Sequence, residues 1–224
     1  KVANPAAFRI ANEAARAKLD PSAPRKRLST IGTHAMLDVT NSYGSLPTLN
    51  CHAVQFDGAD KVNVKAAHTP RRSDGRANLQ ANKACFACSI GCGRIATIDP
   101  EHFSIKDKPR YKTSMGGLEY ESIYAVGPMC GVDDIDAATY ASALCNEHGM
   151  DPISFGVSVA AAMDLYKAGA ITKEDTGGMA LEFGSAEALC WAAEVVGTAT
   201  GFGKDIGLGA KRLCEKYGHP EMAM

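Results

Sequence analysis

Residues 133–153 read Asp133-Asp-Ile-Asp-Ala-Ala-Thr-Tyr-Ala-Ser-Ala-Leu-Cys-Asn-Glu-His-Gly-Met-Asp-Pro-Ile153. The acidic pair offers an N-cap, because a short side-chain oxygen can accept from the open N–H groups of a first turn. Ile135, Ala138, Ser142 and Cys145 then fall on one helical stripe running to about His148. Gly149 suits the left-handed residue that ends a helix. Asp151-Pro152 starts the next one as N-cap and first helical residue. Helix, glycine stop, short turn and capped helix set the character of everything downstream.

That second helix should run to about Ala168 and stop at Gly169. Thr172-Lys-Glu-Asp175 has the spacing of a capping box, with Asp in place of Glu. Ser185 begins a helix through Val196, with Ala188, Leu189, Ala192 and Val196 in register. Asp205 to Tyr217 makes a last one, stopped by Gly218 and Pro220.

Upstream the pattern thins. Residues 4–19 form a helix with Phe8, Ala11, Ala15 and Leu19 on one face, ended by Pro21 to Pro24. Residues 31–43 form a second, stopped at Gly44. Residues 45–80 carry Pro47, Pro70 and several Asn and Asp, which is turn chemistry, with Arg71-Arg72 as solvated surface. Residues 95–117 alternate weakly and supply a short β-hairpin. The expected fold class is mainly α: a helical array with irregular loops and a short hairpin.

Composition limits the function. Lys and Arg number 24 against 25 Asp and Glu, so no net positive field exists to hold nucleic acid. A 46% hydrophobic, 22% charged chain folds rather than staying disordered. Its longest weakly polar stretch, Gly156 to Met163, stops at Asp164, well short of the roughly 20 residues of a membrane span. The chain starts without Met and closes just after a helical segment, which reads as a piece of a longer protein.

The eight cysteines are too many to ignore, and the chain is too long for a disulfide-stapled miniature. Cys85-Phe-Ala-Cys88-Ser-Ile-Gly-Cys92 is C-x2-C-x3-C. Three thiolates on one tight loop can take three corners of an iron–sulfur cubane. Gly91 and Gly93 let backbone N–H groups approach its sulfurs. The spacing leaves other uses open. Structural zinc prefers paired C-x2-C units or Cys/His sets, and no second pair is present. Free cysteines are often simply buried. A thioredoxin-like C-x-x-C lacks its βαβ context. A reducing compartment, the cytoplasm, fits thiols that are free or metal-bound.

Ala84-Cys-Phe-Ala-Cys-Ser-Ile-Gly-Cys-Gly-Arg94 resembles the cluster motif of the aldehyde:ferredoxin oxidoreductase family, the tungsten bis-pterin enzymes. Further blocks resemble that family in the same order: Ser45–Asn50, Gly117-Leu-Glu-Tyr-Glu121, Tyr124–Asp134 and Leu144–Ser154, then the Gly201-Phe-Gly helix followed by Pro220–Met224. The resemblance runs from about residue 30 to the end. It implies a three-domain enzyme of which residues 1–224 are the middle, cluster- and pterin-facing helical domain, with an N-terminal β-rich domain and a C-terminal domain outside this stretch.

The resemblance also implies cofactors and roles. Cys85, Cys88 and Cys92 hold a [4Fe–4S] cluster whose fourth ligand lies beyond Met224, so Cys130, Cys145, Cys190 and Cys214 are not assigned to it. Asn146, Gly149 and Asp151 match the pterin-binding D-x-x-G-L-D block, with Asn146 for the first Asp and Met150 for Leu. A pterin edge presents N–H donors that suit carboxylates, and an amide oxygen accepts with less charge. Glu119 is the first choice and Glu121 the second for a proton-handling group near the metal. Both would point the same way on an extended segment. Cys130 is either a metal contact or a small buried residue. Asp133 and Asp134 read as caps, with the pterin or Mg2+ as a second use. Cys145, Cys190 and Cys214 belong to apolar stripes. His34 and His148 are packed or surface histidines.

The implied activity oxidises aldehydes to carboxylic acids with tungsten or molybdenum. Electrons leave through the cluster to ferredoxin or an iron–sulfur subunit. A homo-oligomer is open. Two alternatives stand beside it: the tungsten subunit of a class II benzoyl-CoA reductase, and a non-catalytic iron–sulfur relay.

Overall fold

A computed structural model describes residues 1–224. Helix α1 (Pro5–Leu19) starts where the Asn4 side chain accepts the Ala7 N–H at 3.0 Å. It buries none of its residues, and Phe8, Ile10 and Leu19 are exposed. The prolines after it do not stop helix formation. Ser22 caps a further helix, α2 (Ala23–Ile31), with Pro24 in its first turn, where a missing N–H costs nothing. Gly32, at φ 63°, ends α2 and divides the helix expected over 31–43. What remains is a 3-10 turn (Thr33–Ala35) and α3 (Met36–Ser42). The loop-rich stretch that follows contains two short helices, α4 (Ala59–Val62) and α5 (Val64–His68).

The sheet is small and antiparallel, in the order β1 (Leu79–Lys83), β2 (Gly93–Ala96), β3 (Met115–Gly116). Ile95 faces Gly116 and Ala96 faces Met115, so the hairpin expected within 95–117 forms. The strand missed by sequence reading is β1, whose alternation is hidden by Gln80, Asn82 and Lys83. Its ladder, Asn82 to Arg94 and Lys83 to Gly93, closes directly on the cysteine loop.

Helix α6 (Tyr120–Val126) and a 3-10 turn (Pro128–Cys130) lie ahead of the expected helical start, and α7 (Ile135–His148), α8 (Pro152–Lys167) and α9 (Ala186–Gly197) then follow the reading closely. Asp134 caps α7 through the N–H groups of Asp136 and Ala137, Gly149 ends it at φ 67°, and Asp151 caps α8. The last expected helix divides into α10 (Gly203–Ile206) and α11 (Ala210–Lys216), because Gly209 turns left-handed at φ 87°. At 172–175 the backbone N–H and hydroxyl of Thr172 both donate to Asp175 at 2.8 Å. The chain there makes turns rather than a helix, leaving through Gly177 and Gly178 at φ 69° and 105°.

The core lies between α7, α8 and α9. Tyr140, Met163, Leu165 and Leu189 are among its fully buried side chains. Helix α8 is sheathed on nearly all sides, which explains its run of Ala, Ser and Gly. A Cβ on Gly156 would sit 2.4 Å from the Ala125 carbonyl oxygen, so α6 and α8 cross almost backbone to backbone. No helix is long and apolar enough to cross a membrane.

Candidate functional site

The ladder between β1 and β2 presents residues 84–92 as a loop from one end of the sheet. The Cys88 N–H donates to the Cys85 carbonyl at 3.0 Å, making a tight turn. Ala87 and Gly91 take left-handed conformations, at φ 58° and 64°. Cys85 and Cys88 are exposed and Cys92 is half-buried. The Ile90 N–H points at the Cys88 sulfur at 3.4 Å. The N–H groups of Gly91 and Ile90, with the Arg25 charge behind them, hold the Cys88 thiol below its ordinary range. A thiolate is therefore favoured where a metal would need one. Two arginines tether the loop from α1 and α2: Arg16 donates to the Ala87 carbonyl at 3.4 Å and Arg25 to the Ser89 carbonyl at 2.8 Å. No three His, Cys, Asp or Glu side chains converge on one point as a single-ion site requires. The three thiols stand apart along the loop.

Behind the loop lies Arg94, only 5% exposed. Its guanidinium reaches Leu28 and Thr30 carbonyls at the end of α2 and the Asn82 side chain in β1. The cysteine motif ends on Arg94, but nothing in its spacing marks that residue as buried.

Glu119 and Glu121 do not share an extended segment. Strand β3 stops at Gly116 and α6 begins at Tyr120, so the backbone rotates between them. Glu119 is the N-cap residue. Its N–H donates to Ser122 Oγ at 3.0 Å, and its Oε2 accepts the Thr33 hydroxyl at 2.7 Å. Burial pushes its carboxyl up, against the pull of Thr33 and Arg94. Glu121 is exposed and its carboxylate bonds to nothing else in the chain. Burial raises the Tyr124 phenol, and the charges of Glu121 and Asp151 raise it further.

Asn146, Gly149 and Asp151 are exposed at the α7–α8 turn. A Cβ on Gly116 would come 3.5 Å from Asn146 Nδ2, so this turn lies against β3. Asp151 Oδ2 accepts both the N–H and the hydroxyl of Ser154, at 2.8 and 2.7 Å, and these bonds hold its carboxyl below the usual range. A cleft of about 150 Å³ opens beside it, lined by Met150, Ser154, Val196 and Gly209 among others.

The remaining candidates have partners inside the fold. Cys130 is fully buried, with its sulfur 3.5 Å from the carbonyls of Ala125 and Gly156, and burial drives its thiol far up. Burial pushes the Cys145 thiol up to about 12, and Cys190 and Cys214 are likewise buried and raised. Asp133 pairs with Lys61, and Asp134 caps α7 and meets His102 at 3.1 Å. His34 is buried 2.7 Å from the Val62 carbonyl, and burial lowers its imidazole. His148 packs on Gly197, where a Cβ would lie 2.5 Å from its ring.

One further cluster joins two of the quoted blocks, Ser45–Asn50 and Pro220–Met224, to which the sequence assigns no role. Leu49, Asn50 and Cys51 are successively left-handed, at φ 51°, 50° and 62°. That turn aims Asn50 Nδ2 at Asp164 (3.0 Å) and at the Met222 carbonyl (2.9 Å), while His52 meets the same Asp164 oxygen at 2.7 Å. It fastens the end of the chain to α8.

Residues 10–224 match the family model described as aldehyde ferredoxin oxidoreductase, domains 2 and 3. Among curated relatives, the tungsten-containing aldehyde ferredoxin oxidoreductase of Pyrococcus furiosus is 32% identical over 198 residues. Its namesake from Pyrococcus horikoshii is 34% identical over 203. Each alignment covers 88% of this chain and 30% of the relative, so the chain spans about a third of their length. A more distant match, 29% over 135 residues, covers 59% of this chain and 20% of a P. furiosus protein named aliphatic sulfonate oxidoreductase, WOR-like subunit.

Proposed function

Because the chain belongs to the aldehyde ferredoxin oxidoreductase family, an oxidoreductase enzyme family, we propose that it is the cluster- and pterin-facing part of an enzyme that oxidises aldehydes to carboxylic acids. The tungsten in the relatives' names supports a tungsten centre here, and the likeness of Asn146–Asp151 to the pterin-binding block supports a bis-pterin around it. The observation that carries the reading is the cysteine loop. It is clamped at its stem by a β-ladder, tethered by two arginines, and holds one thiol low through backbone N–H groups.

When bound, the pterin metal supplies the two-electron oxidation and a [4Fe–4S] cluster passes the electrons on singly to ferredoxin or a similar carrier. The chain's residues do the rest. Cys85, Cys88 and Cys92 would hold three corners of the cluster, with the fourth ligand outside this stretch, as the family resemblance implies. Asn146, Gly149 and Asp151 meet the pterin edge: Gly149 leaves the approach open, with nothing within 4 Å of its would-be Cβ. Asp151, its carboxylate kept ionised and fixed by Ser154, presents acceptor character.

Converting RCHO and water to RCOOH releases two electrons and two protons. Glu121 takes the proton role rather than Glu119. Its carboxylate is exposed in the first turn of α6, whereas Glu119 is engaged by Thr33 at the head of α6. Eight free cysteines suit a reducing cytoplasm.

The test is metal analysis of the full-length protein purified without oxygen. About four Fe with about one W or Mo per chain supports the reading. Iron without W or Mo favours an electron relay, and zinc alone sinks the cluster assignment.

A further inference from the structure

Arg94 is a charged side chain with only 5% of its surface exposed, two residues beyond Cys92. A guanidinium stays protonated at any physiological pH, so this is a permanent positive charge withdrawn from water. Such a group is costly unless something nearby uses it.

Its surroundings are built to hold it. Nη2 donates to the Leu28 carbonyl at 3.1 Å and Nη1 to the Thr30 carbonyl at 3.3 Å. These carbonyls belong to the last turn of α2, and the Leu28 carbonyl also accepts the Gly32 N–H at 2.9 Å. Nη1 also donates to Oδ1 of Asn82, which faces Arg94 directly across the β1–β2 ladder. Two glycines make the room. A Cβ on Gly32 would fall 2.2 Å from Nη2, and one on Gly117 would fall 2.6 Å from the Cβ of Arg94. All the acceptors are neutral. The Nε–H is buried and has no partner. The negative groups that favour the cation are Glu119 and Cys92, and neither is bonded to it.

The charge therefore has a fixed position and no ion pair that consumes it. Cys92 stands two residues before Arg94, immediately ahead of β2. We propose that Arg94 is a positioning residue for the cluster loop, whose fixed charge favours the reduced, more negative state of the cluster and raises its reduction potential. The proposal rests on the cluster reading above. Reduction adds one negative charge to the cluster. A cation in a poorly hydrated setting acts on that charge more strongly than one in water, and local charge is one of the protein's means of setting a cluster potential. Arg94 takes up neither electron nor proton. Its fork also ties α2, β1 and β2 together, so the stem bearing Cys92 cannot swing.

Wild type, Arg94→Lys, Arg94→Gln and Arg94→Met are made in the full-length protein and purified without oxygen. Iron content, thermal midpoint and an EPR-monitored redox titration are read on each. Met is included because an apolar side chain in place of a buried ion is often well tolerated. The expected result is a shift of the cluster midpoint to lower potential in both neutral variants that Lys largely reverses, although Lys also loses the fork and some thermal stability. An unchanged midpoint in cluster-loaded Gln or Met protein overturns the proposal. So does a result in which none of the three variants, Lys included, folds with its cluster, since that makes the guanidinium fork structural only. Absence of iron from the wild type is a different failure: it removes the cluster reading itself, and this inference with it.

Discussion

The Thr33 hydroxyl donates to Glu119 Oε2 at 2.7 Å, joining two residues 86 positions apart. The same hydroxyl accepts the Tyr120 N–H at 3.1 Å, so Thr33 and Glu119 together close the N-terminus of α6. This engages the carboxylate that sequence reading ranked first for chemistry and leaves Glu121 free. Glu121→Gln in the full-length enzyme should lower aldehyde oxidation by roughly 10²–10⁴-fold, the usual worth of a positioned proton acceptor, without moving the thermal midpoint. Glu119→Gln should keep most activity and lose about 1 kcal/mol of stability, the scale of a weakened cap. Steady-state kinetics and thermal unfolding on the two variants decide it. Loss of activity in Glu119→Gln alone reverses the assignment.

The thiols divide into two populations by environment. Cys88 is exposed and held low by the Gly91 and Ile90 N–H groups, whereas burial raises Cys130, Cys145 and Cys190. Only the thiolate reacts with alkylating agents. In cluster-free protein at neutral pH, iodoacetamide should therefore modify Cys88 first and leave buried Cys130, Cys145, Cys190 and Cys214 unreacted until unfolding. Peptide mass spectrometry over a time course reads the order. Cluster loading should protect Cys85, Cys88 and Cys92 together, and Cys88→Ala should cost iron that Cys145→Ala retains.

The helical half was legible because its signals are local. Asp134, Gly149, Asp151 and Ser185 act within three or four residues of themselves, and the structure puts each at the helix end it was given. The cysteine loop was legible for the same reason. What sequence did not reveal depends on distant partners. Strand β1 exists because β2 pairs with it, not because Gln80 or Asn82 favours a strand. Arg94 is buried only because Gly32 and Gly117 make space from 62 and 23 residues away. Pro24 was read as a breaker because the Ser22 cap that makes it a helix start was not recognised. Glu119 and Glu121 were placed on one extended face because the start of α6 was not anticipated.

Gly156 is the tightest test of the packing that carries the site. A Cβ there would lie 2.4 Å from the Ala125 carbonyl oxygen and 2.8 Å from the Ala125 Cβ. Both contacts are with the α6 segment just beyond Glu121, so no flexible side chain can move aside. Overpacking of this kind costs about 1–3 kcal/mol or more. Gly156→Ala should lower the thermal midpoint by several degrees and shift α6 against α8, reducing activity through Glu121. Gly149→Ala also strains a left-handed residue, at φ 67°, but meets nothing within 4 Å. It should cost about 1 kcal/mol by the left-handed penalty alone. Equal losses in the two variants would contradict the close α6–α8 crossing.

The His102–Asp134 pair makes stability depend on pH in a defined direction. Burial pulls the His102 imidazole down, but the Asp134 hydrogen bond and the charges of Asp134 and Asp136 outweigh it, leaving His102 above its ordinary 6.5. A raised folded value means its contribution is fully present below pH 6.5 and is lost as pH rises through the folded value. Asp134 has the opposite sign. Burial raises it, yet the His102 bond and the Ala137 and Asp136 N–H groups bring it below 3.8, so its contribution is present above that value and lost as pH falls through the lower folded one. The pair therefore stabilises most between about pH 4 and 6.5. Thermal midpoints of the full-length protein from pH 5 to 9, set against His102→Gln, should differ most at the acid end and converge at the alkaline end. Parallel profiles would mean that the imidazole is not charged in the folded state. The Gln variant keeps a donor for Asp134 but cannot carry the proton, so the difference isolates the ion pair from the cap it supports.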